Sequence, residues 1–148
     1  MSARSDALPE MGPALIIQSF ERASECAGDI TPHVYATLFA RHPEMEPLFV
    51  RDKTGAVKGE MLARVIELIL DFVTARSYAD HLIQCEVVTH EGYGVPREIF
   101  GTFFEAVADT LGEILKDEWT PAMDESWREL LSGLSYFVTH PDQTMAAA

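Results

Sequence analysis

The sequence predicts an all-α domain, and the pattern of its apolar residues carries most of that prediction. They recur every three or four positions through most of the chain, the spacing that gathers them on one face of a helix. No stretch sustains a two-residue alternation, and no Asn-Gly or Asp-Gly pair offers a hairpin turn. Proline and glycine punctuate the helical runs: Thr31-Pro32 and Thr120-Pro121 read as a cap followed by a first-turn proline, while Gly92 and Gly94 close another run. At 148 residues the chain fits one domain around one core. Its 47% hydrophobic content can supply that core and is too high for a disordered chain.

Residues 1–12 are polar and broken by Pro9 and Gly12, which predicts a flexible lead-in to a domain spanning 13–139. Pro13 suits the first turn of a helix whose stripe is Leu15, Ile16, Phe20 and Ala23, until Gly28 stops it. The Thr31 hydroxyl is the expected cap of the next helix, which sets Tyr35, Leu38 and Phe39 on one face and ends near His42-Pro43. Between Pro43 and Phe49 only a short helical turn fits. Residues 50–56 are polar, contain Gly55 and read as a loop. The helix that follows carries Lys58, Leu62, Val65, Ile66, Ile69 and Val73 on one side, with Glu60, Arg64, Glu67 and Asp71 opposite. Past Ser77, Ile83, Val87 and His90 stand at i, i+4 and i+7. Pro96 opens a helix striped with Phe100, Phe103, Phe104 and Val107, and Thr120-Pro121 opens the last one, with Trp127, Leu130 and Leu134. His140-Pro141 ends it, leaving 140–148 as an expected disordered tail. About seven helices of such unequal length do not make a simple up-and-down bundle.

Charge narrows the partners. With 24 acidic against 11 basic residues the net charge is −13, which argues against nucleic acid and anionic membrane surfaces. Cys26 and Cys85 form no CxxC and read as reduced thiols of a cytoplasmic protein. No apolar run reaches the length of a membrane span, and the N-terminus lacks the apolar region of a signal peptide.

Catalytic signatures such as GxSxG, a P-loop, GxGxxG or HExxH are missing, and the five histidines are not spaced as a multi-ligand metal site. His90 is the exception to this blandness, an imidazole on the apolar side of a helix's last turn beside a sharp exit. One reading is a satisfied core histidine. The other is the single protein ligand of a metal whose remaining ligands come with a cofactor, and haem meets that condition.

At this point the sequence resembles the bacterial single-domain globins and the globin domain of flavohaemoglobins. The resemblance rests on Tyr35-x-x-Leu38-Phe39-x-x-His42-Pro43-Glu44-x-x-Pro47-Leu48-Phe49, on His90-Glu91-Gly92-Tyr93-Gly94-Val95, and on Thr120-Pro121 with Trp127. The interval from Lys58 to His90 also matches, and the likeness covers roughly residues 13–139. It implies a globin fold around haem b (iron protoporphyrin IX), with His90 as the proximal iron ligand. Phe49 would pack on the porphyrin, Tyr35 would donate its hydroxyl in the distal pocket, Leu62 would form the apolar wall above the iron, and Val95 and Phe100 would line the proximal side. The plainer reading of Tyr35 is a core tyrosine bonded to backbone.

The sequence departs from that family twice. Lys58 stands where glutamine or histidine is common; it can reach solvent or a haem propionate, or, as a desolvated neutral amine, the iron or its ligand. Phe100 stands where flavohaemoglobin-type globins carry a tyrosine that joins a glutamate in tuning the proximal histidine, and the aligned acid falls at Asp142. Missing that pair, the histidine is expected to stay comparatively neutral, suited to binding over O–O cleavage. Lys53, Arg51, Lys58 and Arg97 are the candidate partners of the propionates.

The resemblance implies reversible binding of O2, and of CO and NO, in a monomer or homodimer. An NO dioxygenase cycle would need an external reductase, since the chain stops soon after its last helix. A gas sensor is the alternative, and a haem-free globin-like interaction module is the third.

Overall fold

The computed structural model describes residues 2–140, with side chains from residue 12 onward. Helices α1 (Ser2–Ala27), α2 (Thr31–Arg41), α3 (Ala56–Val73), α4 (Ala79–Gly92), α5 (Arg97–Leu115) and α6 (Pro121–Thr139) follow one another, with 3-10 segments at Pro43–Phe49 and Lys116–Glu118. No strand occurs among the described residues, so the all-α expectation stands. α1 starts earlier than expected: residues 2–12, read as a flexible lead-in, continue the helix that was to open at Pro13. The helix runs through Pro9, Gly12 and Pro13, although each proline withholds one backbone donor. His140 is placed as the C-cap of α6, and the rest of the expected tail lies outside the described residues. Among the described residues no helix is long and apolar enough to cross a membrane, and both cysteines are free and exposed.

Acidic side chains start several of these helices, and they are easy to miss in the sequence. At α2 the expected cap, the Thr31 hydroxyl, is itself a donor to Asp29 Oδ1 (2.7 Å), which also accepts the Thr31 N–H at 3.0 Å. These bonds hold the Asp29 carboxyl below its ordinary value. At α3 the two Asp52 oxygens accept the N–H groups of Val57 and Lys58, at 3.1 and 3.0 Å. At α6 the Thr120 hydroxyl does cap as expected, accepting from Met123 N at 3.1 Å.

The junction of α3 and α4 depends on Asp71. Read from sequence as part of a polar face, it is buried, and its carboxylate accepts the N–H groups of Ser77 (3.1 Å), Tyr78 (3.0 Å) and Ala79 (2.8 Å). Burial by itself would raise the Asp71 carboxyl, but the three N–H donors outweigh it and hold the group below the ordinary range. Because the folded-state value is lowered, the stabilisation is complete above the unfolded carboxyl's value, near 4. It is lost as pH falls from there through the folded value. Asp71→Asn should lower the Tm by roughly 5 °C or more at pH 7, with the gap to wild type narrowing below about pH 4 in thermal scans.

Large buried side chains join the layers. α5 packs on α6, α1 and α2, while α4 packs on α3, α5 and α6. Trp127 of α6 is 1% exposed, meets Phe20 edge-on at 5.6 Å between centroids, and donates its indole N–H to Ser19 of α1 at 3.0 Å. Where α6 crosses α3, a Cβ at Gly133 would come within 3.2 Å of the Phe72 ring, so the small residue permits that approach.

Candidate functional site

Local hydrogen bonds at the end of α4 fix His90. Val95 N donates to His90 O (2.9 Å) and Gly94 N to Glu91 O (3.0 Å), the paired bonds of a Schellman turn. Gly94 takes φ +90°, a left-handed conformation that favours glycine, and this is the physical use of the exit glycine seen in the sequence. The turn folds Val95 back over the imidazole's end of the helix, and both residues line the same cavity. His90 Nδ1 lies 2.8 Å from Glu86 O. A carbonyl can only accept, so the proton sits on Nδ1 and the Nε2 lone pair is left for a metal. Phe100 meets the imidazole edge-on at 5.0 Å.

The cavity beside this histidine has about 810 Å³ of empty space, part of it open to solvent. Every lining residue but Arg64, Glu86 and His90 is apolar. α3 contributes Met61, Arg64, Val65 and Leu68, a set at i, i+3, i+4 and i+7 that forms one helical face. Arg64 makes no ion pair among the described residues, whereas Arg97 is held by both oxygens of Glu91, at 3.0 and 3.3 Å.

The structure brings four of the expected site residues together and sets three behind the walls. Phe49, Val95 and Phe100 line the cavity with His90. Leu62 does not: it is buried, and it borders a separate groove with Phe20 of α1 and Ile66. α3 therefore has two apolar faces, and the one meeting the cavity contains Met61, Val65 and Leu68 in place of Leu62. Tyr35, 2% exposed, packs its ring against Phe49 and Phe103, each with centroids 5.4 Å away. Its hydroxyl donates to Lys58 O at 3.2 Å, the plainer of its two readings. Burial first, and then the charge of Asp52, push this phenol well above its ordinary value, so it stays a neutral donor. Lys58 Nζ lies 4.0 Å from Asp52 Oδ2 and 5.8 Å from the centre of the Phe49 ring. None of the cations expected at the propionates lines the cavity. Arg64, which does, was assigned to the outer face of its helix; its spacing from Met61 and Leu68 was the available signal.

Fold and cavity together define an all-α protein with a mostly apolar cavity lined by a single imidazole. The family profile described as Globin matches residues 32–138, from α2 through α6, and the chain belongs to the globin family. Globins typically hold haem and bind small gases. α1 lies outside the matched span. Comparison with curated proteins finds no match.

Proposed function

We propose that this globin is a haem b protein of the bacterial single-domain type, reversibly binding O2 and also CO or NO. The observation that carries the reading is His90: its Nδ1–H is bonded to its own helix, its Nε2 is left for metal, and it faces a cavity whose other lining residues are apolar except Arg64 and Glu86. The donor set fits the group. A porphyrin brings four nitrogens, so one imidazole completes the protein's share, and the Arg64 guanidinium, which has no ion pair among the described residues, suits a propionate. Bound haem supplies an iron centre able to take a diatomic gas.

The chain's own residues do the rest. His90 holds the metal through Nε2, oriented by the Glu86 carbonyl. Phe49, Val95 and Phe100 would pack on the macrocycle, and Met61, Val65 and Leu68 would keep water from it, which would limit oxidation. For Tyr35 to donate to a gas ligand, its hydroxyl would have to leave the Lys58 carbonyl and its ring to move past Phe49 and Phe103, which stand between it and the cavity. With Lys58 drawn toward Asp52, its role is to carry that carbonyl and cover the Phe49 ring. Consumption of NO would draw electrons from an external reductase.

Titrating purified protein with hemin tests the reading. A sharp Soret band that grows to saturation at one hemin per chain is the expected result, and a titration that shows only the broad absorption of unbound hemin ends the proposal.

A further inference from the structure

The cavity wall carries one carboxylate, Glu86, and it stands beside the imidazole. Glu86 precedes His90 by one helical turn, so the two share a face of α4. Two acceptors from this one residue approach the same ring nitrogen. The Glu86 carbonyl is 2.8 Å from His90 Nδ1, and the carboxylate oxygen Oε2 is 3.6 Å from it. The longer distance is outside a hydrogen bond, and a different rotamer of Glu86 would be needed to close it. No Lys or Arg pairs with Glu86 among the described residues, and its carboxylate faces His90. Both side chains are partly sheltered, 29% and 24% exposed, with the Phe100 ring against the imidazole. Phe100 has no hydroxyl to compete for Nδ1–H, and Asp142 lies outside the described residues.

We propose that Glu86 is a positioning residue whose carboxylate takes a share of the Nδ1 proton of His90 and makes Nε2 a stronger electron donor to iron. This rests on the haem reading above. A charged acceptor polarises an N–H bond more than a carbonyl does, and a carboxylate behind a ligating histidine raises its basicity. The expectation of a neutral proximal histidine considered only Phe100 and the C-terminal acid. Glu86 reaches the same nitrogen from within α4, so this histidine carries more anionic character than position 100 alone implies.

The test compares hemin-reconstituted wild type, Glu86→Gln and Glu86→Ala. Gln preserves size but removes the charge; Ala removes the side-chain acceptor and leaves only the backbone carbonyl. Both variants should take up hemin with a Soret band. In the ferrous, ligand-free state both should show a lower iron–histidine stretching frequency than wild type. Their ferric/ferrous midpoint potentials should rise, because the ferric state loses the stronger donor. A merely structural ion pair on the helix would move neither reading. Hemin uptake with frequency and potential unchanged in both variants overturns this inference and leaves the haem reading standing. Failure of wild type to take up hemin overturns the haem reading and this inference with it.

Discussion

Alanine at position 90 should leave the helices in place and remove the capacity to hold hemin. His90 is partly exposed at the end of α4, and the turn after it is held by backbone bonds from Val95 and Gly94 that survive the substitution. Far-UV circular dichroism of His90→Ala should therefore match wild type. No second imidazole and no thiolate lines the cavity to replace the proposed ligand, and the other polar lining groups are a guanidinium and a carboxylate. Loss of an outer hydrogen bond to a metal ligand weakens binding by 10–100-fold in general, so loss of the ligand should cost about 100-fold or more in hemin affinity. His90→Gly with added imidazole should recover the Soret band, because the cavity then admits the missing donor. A wild-type-like band in His90→Ala would assign the iron to another residue.

Trp127→Ala should give the largest loss of stability. The indole is 1% exposed, stacks at 6.5 Å on Trp119 and meets Phe20 edge-on, so it joins α6 to α1 and to the turn after α5. Its N–H donates to Ser19 Oγ, which in turn donates to Ile16 O at 2.6 Å. Truncation leaves a cavity and removes this buried donor, at a cost of about 3–5 kcal/mol. Against a typical total of about 5–15 kcal/mol, that is a large share. In a domain of this size it corresponds to a Tm lower by roughly 6–20 °C. Urea unfolding should show a lower midpoint at unchanged slope. Trp127→Phe, which keeps most of the volume, should cost far less. Equal losses in both variants would mean that the Ser19 bond, and not the volume, matters most.

The residues that were legible in the sequence are those whose role is local. His90, Gly94 and Val95 belong to one turn, and the bonds that build it join residues at most five apart. Thr120-Pro121 caps α6 for the same reason, and Pro43 and Pro47 confine the chain between them to a 3-10 segment. Phe49 and Phe100 were placed through the family resemblance, and both line the cavity.

What the sequence by itself determined is which residues share a helical face and where most helices begin and end. The 3.6-residue period and the chemistry of unsatisfied N–H groups are properties of the segment alone. Tertiary structure decided what each face meets. α3 presents Met61, Val65 and Leu68 to the cavity and Leu62 to the groove beside α1, though either face is apolar enough for the other's place. It also buried Asp71 against the start of α4, turned the Tyr35 hydroxyl to Lys58 O, and put Arg64 and Glu86 on the cavity wall. A helix's rotation about its own axis is set by the sum of its packing contacts, and no segment's own period contains that sum.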